Sequence, residues 1–279
     1  MTTVWTEERV QGAQAGGMPV RVYGAKSASR AAPIVLQLHG GAFTGGSLES
    51  GAEVAGMLVE AGAVVVSADY PFGEGYPFPY PLKAVYEALL WSFEARARLA
   101  AKSSKIYVAG AEAGGNLAAA LAMMARDQQA PPLAGQILIS PMLDPCLATR
   151  SLRMADAGPA GCKWAEGWHA YLGSADKASH PYASPSTATR LAGLAPALII
   201  TSDDDPLRDE ALSYARRLRA AGVAAHEHVV PAPTGWPCSI DYCESQERDC
   251  IAALSPVIQT FFDQTRTGPA KRPATQAHI

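Results

Sequence analysis

Along much of this chain, short runs rich in Val, Ile and Leu alternate with longer helix-patterned segments. No other feature narrows the choice of fold so far. "PIVLQLHG", "AVVVSADY", "KIYVAG", "AGQILIS" and "PALIITSD" are almost continuously apolar, as strands covered on both faces must be. Between them stand "LESGAEVAGMLVEAG", "LKAVYEALLWSFEARARLA", "AGGNLAAALAMMARDQ" and "LRDEALSYARRLRAAG". The last of these predicts Leu212, Ala215 and Leu218 facing inward and Arg216, Arg217 and Arg219 facing outward. Such alternation predicts a mostly parallel central sheet with helices on both faces.

The 279 residues suffice for one α/β domain, expected over residues 1–265 behind a short N-terminal arm (1–17) and before a disordered tail (266–279). At 48% apolar and 18% charged residues the chain reads as globular. A net charge of −3 gives no electrostatic case for a nucleic-acid or anionic-membrane partner. The start, "MTTVWTEERVQG", lacks the basic segment and apolar core of a secretory leader, and no apolar run reaches the ~18 residues of a spanning helix. A cytoplasmic chain is therefore expected. Cys238, Cys243 and Cys250 lack CxxC spacing and a following histidine, so they read as packing residues, and no metal or cofactor is expected.

One segment breaks the alternation. Residues 152–172, "LRMADAGPAGCKWAEGWHAYL", carry Trp164, Trp168 and Tyr171 near helical spacing. An insertion there predicts a small helical cap over the carboxyl ends of the strands, where α/β sheets bind ligands.

Three stretches carry candidate chemistry. "LHGGAFTGGS" follows a strand, and its glycines let backbone N–H groups turn into one concavity suited to an anionic oxygen. "GAEAGG" is a tight strand-to-helix turn with Glu112 at its tip, next to a helix end that favours negative charge. "SDDDPLRDE" places acidic residues between a strand and a helix.

With these three in order, and with "DYPFGEGYPFP", "SPMLD" and "PYASP" between them, the chain resembles the hormone-sensitive-lipase-like branch of the α/β-hydrolases, from about residue 18 to about residue 262. That branch includes bacterial carboxylesterases and plant carboxylesterase-like proteins. The resemblance implies the α/β-hydrolase fold and a Ser-His-Asp esterase. It maps the oxyanion hole onto Gly40, Gly41, Ala42 and Ala113, and the triad acid onto Asp205. It maps the nucleophile onto Glu112, which has no hydroxyl, and the histidine onto Thr234 in a turn one residue shorter. His226 and His228 belong to the preceding strand, and His39 to the oxyanion turn. Triad residues act as a unit, so loss of the nucleophile removes what would retain the base.

The expectation is a degenerate esterase whose inherited cleft binds a small apolar or ester-like ligand or a protein partner, with Phe43, Tyr70, Phe72 and Trp236 as lining. Glu112 has three readings: a carboxylate folded into its own oxyanion hole, an acid–base group for elimination or isomerisation or an anchor for a cation, and a covalent nucleophile. The last lacks a base for the second step. A residual ester hydrolase is the remaining alternative. The short arm predicts a smaller lid and a more open cleft. Family members are often dimers, so a homodimer is implied by resemblance alone, with no motif marking an interface.

Overall fold

The computed structural model describes residues 4–12, 16–24, 31–154, 158–234 and 254–266. Its eight described strands form one sheet: β1 (Trp5–Val10), β2 (Met18–Tyr23), β3 (Ile34–Leu38), β4 (Val64–Ala68), β5 (Ile106–Ala111), β6 (Leu133–Ile139), β7 (Ala197–Ser202) and β8 (Ala225–Val230). Their spatial order is β1-β2-β4-β3-β5-β6-β7-β8. β2 pairs antiparallel with both β1 and β4, and every pairing from β4 to β8 is parallel. The central strands β3, β4 and β7 are buried along their whole length, which is why they read as almost continuous apolar runs, interrupted by Gln37, Ser67, Thr201 and Ser202.

The helices are α1 (Ala52–Glu60), α2 (Tyr80–Glu94), α3 (Arg96–Leu99), α4 (Glu112–Gln128), α5 (Arg150–Met154), α6 (Gly158–Leu172), α7 (Arg208–Ala220) and α8 (Ser255–Arg266). Two buried apolar clusters occupy the two faces of the sheet. One lies beneath α2, α4, α6 and α7, and the other beneath α1 and α8. α4 is buried at nearly every position from Glu112 to Met123, and its run of Gly and Ala lets it lie close against the sheet. It stops at Gln129, whose left-handed backbone (φ 55°) ends the turn.

Several elements depart from the sequence reading. The arm contains a strand: β1 pairs with β2 from Trp5↔Tyr23 to Val10↔Met18. "WTEERV" has a low apolar content, and only the partner strand makes it extended. Its exposed Glu and Arg side chains suit a sheet edge. On α7 Ala215 and Leu218 are buried as expected, but Ala211 and Tyr214 complete the buried stripe in place of Leu212, which is half-buried, as is Arg217. The segment from Leu82 to Ala100, read as one helix, is divided between α2 and α3. The cap forms as α5 and α6, with Trp164, Trp168 and Tyr171 buried beneath α6. α8 runs to Arg266, the first residue assigned to the tail; the rest of that tail, Trp236 and the cysteines Cys238, Cys243 and Cys250 lie outside the described residues.

Candidate active site

The site forms where β3, β5 and β7 end. The chain leaves β5 at Ala111 and turns into α4 at Glu112, whose backbone sits at φ 52°, a region costly for a residue with a β-carbon. The sharpness of that turn brings Gly114 against the end of β3. A β-carbon on Gly114 would lie 2.2 Å from the Leu38 carbonyl oxygen and 2.4 Å from that of His39. The elbow and the turn after β3 are thus held edge to edge.

That turn, His39 to Phe43, has two non-glycine residues with positive φ, Ala42 (52°) and Phe43 (60°). His39 stacks on Tyr70 (centroids 4.3 Å apart) and its Nδ1 lies 2.7 Å from the Gly40 carbonyl oxygen. The Tyr70 hydroxyl donates to the His39 carbonyl at 2.7 Å. Burial lowers the His39 pKa, so the neutral ring is favoured. His39 and Tyr70 therefore brace the turn from behind and present its amides forward.

The Glu112 carboxylate faces those amides. Oε2 accepts the Gly41 N–H at 3.0 Å, and Oε1 accepts the indole N–H of Trp164, from α6, at 2.5 Å. The side chain is buried, and that burial raises its pKa above 4.5 although the N–H groups of Trp164, Gly41 and Ala42 and the nearby Lys163 all pull it down. Ala113, the other mapped amide, is fully buried at the start of α4. Of the mapped amides, Gly41 and Ala42 are thus the ones that serve the carboxylate.

Asp205 follows β7 and is also buried. Oδ1 accepts the Leu207 N–H at 2.8 Å and Oδ2 the Thr201 hydroxyl at 2.5 Å. Burial, together with the charge of Glu112, pushes its pKa up to about 6. Thr234 sits beyond β8, but it is held by the neighbouring Asp204: its N–H donates to Oδ2 at 2.7 Å and its hydroxyl to Oδ1 at 2.6 Å. Sequence reasoning missed Asp204, because the three aspartates of "SDDDP" are alike until the backbone aims them. It also counted Trp164 as a cap aromatic without giving it a partner.

Among the described residues no histidine is hydrogen-bonded to Glu112 or Asp205. The ring of His226 lies 6.3 Å from that of Phe261 on α8. No group of described side chains could hold a metal ion, and no described helix is long and apolar enough to cross a membrane.

The cap is seated hard on this site. A β-carbon on Gly167 of α6 would fall 1.6 Å from the Ala42 carbonyl oxygen, so only glycine lets the helix come so close. Phe43 stacks flat on Tyr171 (3.9 Å, 2°) and also faces Trp168 at 6.0 Å. Phe43 and Tyr70 are each 1% exposed and packed as core; Phe72 is half-buried, edge-on to His39 and Tyr70. The expected open cleft is therefore absent at the elbow, where Glu112 is 4% exposed. The length of the N-terminal arm did not settle this, because α6 covers the elbow from the other side.

A family model described as the alpha/beta hydrolase fold matches residues 35–233, most of the chain and every strand from β3 to β8. The chain belongs to the α/β-hydrolase family. Within it, the chain falls in the hormone-sensitive-lipase-like carboxylesterase branch. Carboxylesterase NlhH of Mycobacterium tuberculosis is 37% identical over 219 residues, covering 74% of this chain and 67% of the relative. An arylesterase of Saccharolobus solfataricus is 30% identical over 210 residues, covering 74% and 68%. Against the carboxylic ester hydrolase LipN of Mycobacterium tuberculosis, 36% identical, the match covers 75% of this chain and only 58% of the longer relative. Among solved structures, esterase LipW of Mycobacterium marinum superposes with a TM-score of 0.81 at 32% identity, covering 93% of this chain and 82% of that one. A bacterial heroin esterase superposes at 0.80 with 30% identity, covering 93% and 84%. This α/β-hydrolase shares their framework and carries a carboxylate at its elbow.

Proposed function

We propose that this α/β-hydrolase-fold protein does not perform serine-ester chemistry, and that its inherited cleft binds a small apolar ligand or a protein partner. One observation carries the reading: the Glu112 carboxylate takes the Gly41 N–H that, in an esterase of this branch, would meet the oxyanion of a substrate. Charge-assisted bonds to backbone donors are about twice as strong as neutral ones, so a neutral ester carbonyl competes poorly for that amide. A carboxylate also cannot do the work of an activated hydroxyl without a base to free the covalent intermediate. Thr234, at the histidine position, offers no base and is bound to Asp204.

The expected result is no turnover of p-nitrophenyl acetate or butyrate above that of the Glu112→Ala variant, and no serine labelled by a fluorophosphonate probe. Robust turnover that survives Glu112→Ala, with a labelled serine, would overturn the reading. A gain-of-function arm tests the mapping itself: Glu112→Ser with Thr234→His should hydrolyse these esters, and Glu112→Ser alone should not.

A second reading is favoured by the burial of Glu112, which raises its pKa and so suits it to carry a proton. In that case Glu112 is the acid–base group of an elimination or isomerisation assisted by the Ala42 and Ala113 amides. Glu112→Gln separates the two readings. It abolishes any such rate, whereas a binding cleft keeps its ligand.

A further inference from the structure

We infer that the bond from the Trp164 indole to Glu112 is an autoinhibitory latch that holds the cap helix α6 shut over the cleft. The inference deepens the reading of Glu112 as an occupant of the oxyanion turn and rests on it. It adds what that occupant does: it ties the cap helix to the end of the sheet.

The geometry converges on α6 from three directions. Trp164, at the second turn of α6, donates its N–H to Glu112 Oε1 at 2.5 Å. Gly167, three residues on, lies against the Ala42 carbonyl oxygen with no room for a β-carbon. Tyr171, four residues further, stacks on Phe43, and its carbonyl accepts the Phe78 N–H at 2.6 Å. These positions fall on one face of the helix, at spacings of three and four. Between them they cover Glu112, Ala42 and Phe43, all of them 4% exposed or less. A molecule that reaches the elbow must first lift this face.

The three contacts differ in kind. The Tyr171 stack is apolar and the Gly167 contact is steric, so both tolerate small shifts of the helix. The Trp164 bond is directional and runs to a buried carboxylate. Among the described residues the indole N–H has no other hydrogen-bond partner, and lifting the helix exchanges this bond for solvation of both groups, at a net cost. Breaking this bond is the costly step in opening, and a ligand able to satisfy Glu112 Oε1 in place of the indole would lower that cost. Its chemistry is therefore an apolar body, to replace Trp168 and Tyr171 against Phe43, bearing one hydrogen-bond donor. The latch reduces apparent ligand affinity by the fraction of molecules that are open.

The test is amide hydrogen exchange across residues 158–172 in the full chain, for the wild type, Trp164→Phe, Glu112→Gln and the double variant. Trp164→Phe keeps an aromatic ring and removes the donor. It should speed exchange in α6 by about tenfold to a hundredfold, the range for loss of a hydrogen bond to a charged group, while β3 and β5 keep wild-type protection. If the two residues act through one bond, the double variant exchanges no faster than the faster single variant. Unchanged exchange in Trp164→Phe, or effects that multiply in the double variant, would overturn the latch. A measurement on the wild type stands even if a variant fails to fold. The Trp164 indole proton should exchange no faster than the α6 amides, and exchange tenfold faster would show that the bond opens while the helix stays closed. Ester turnover tests the chemistry and exchange tests the cap, so either reading can fail alone.

Discussion

Gly114→Ala should destabilise the protein by about 4 kcal/mol or more, a large share of the roughly 5–15 kcal/mol that holds a typical domain folded. The β-carbon would sit 2.2 Å from the Leu38 carbonyl oxygen and 2.6 Å from its carbonyl carbon. Neither neighbour is the far end of a flexible side chain. Both are backbone at the end of β3, whose five residues are all buried and paired with β4 on one side and β5 on the other. Relief therefore requires either α4 to withdraw from the sheet or β3 to shift register, and each would open the most tightly packed part of the core. Urea denaturation followed by circular dichroism measures the loss. A midpoint within 0.3 M of wild type, at an m-value near ~2 kcal/mol/M, would show that the elbow is not packed as described.

Stability should also fall as pH rises from about 4 to about 6, against the usual trend for carboxylates. Asp205 is buried, and its pKa is pushed up to about 6 from 3.8 by desolvation first and by the Glu112 charge among the further causes. A carboxyl with a raised pKa binds its proton more tightly when folded. Its contribution is fully present below the unfolded value and is lost as pH passes the folded one. The shift corresponds to ~3 kcal/mol, lost mainly between pH 4 and pH 6. Glu112 and Glu210 are buried and raised too, and they contribute with the same sign. Lowered carboxylates such as Glu49 and Asp127 work in the opposite direction at the surface, where solvent and salt weaken them. Asp205→Asn should flatten most of the slope between pH 4 and pH 6, because an amide in that place carries no charge to desolvate. Thermal unfolding of wild type and variant across that range checks it, and parallel pH profiles would exclude Asp205 as the source.

The retention of Asp205 fits this cost. In a working triad, a buried aspartate is stabilised by the imidazolium it faces. Here its oxygens are served by the Thr201 hydroxyl and the Leu207 amide, two neutral donors that also fix the start of α7. The nearby Glu210 accepts the Asp144 N–H at 2.8 Å, and Asp209 accepts the Ser151 N–H at 2.8 Å. Asp209 and Glu210 therefore fasten α5 and the loop after β6 to α7. That is a structural use for acidic residues in a first helical turn, independent of any reaction.

What was legible in the sequence follows from the range of each interaction. The strands β3 to β7 could be read because burial on both faces favours apolar residues at nearly every position, a local signature. The elbow was legible for a similar reason, since a turn this tight needs small residues at fixed steps on either side of Glu112. β1 was not, because its six residues lack an apolar pattern and become a strand only by pairing with β2. On α7 Ala215 and Leu218 were read correctly, and Leu212 was taken for the inward position that Tyr214 fills, because Tyr214, 1% exposed, was not counted as apolar.

The same division holds at the site. Which residue types stand at the elbow, at the oxyanion turn and after β7 was fixed by the chain's order: a carboxylate at 112, backbone amides at 41 and 42, an aspartate at 205 and a threonine at 234. Where those groups point was decided only by packing in three dimensions. Asp204 holds Thr234, Trp164 reaches Glu112 across 52 positions, and Gly167 lets α6 close on Ala42. Hydrogen bonds between distant segments depend on angles of a few degrees and distances of a few tenths of an ångström. Residue identity and spacing carry no record of either, so the closed state of the cleft belongs to the tertiary structure alone.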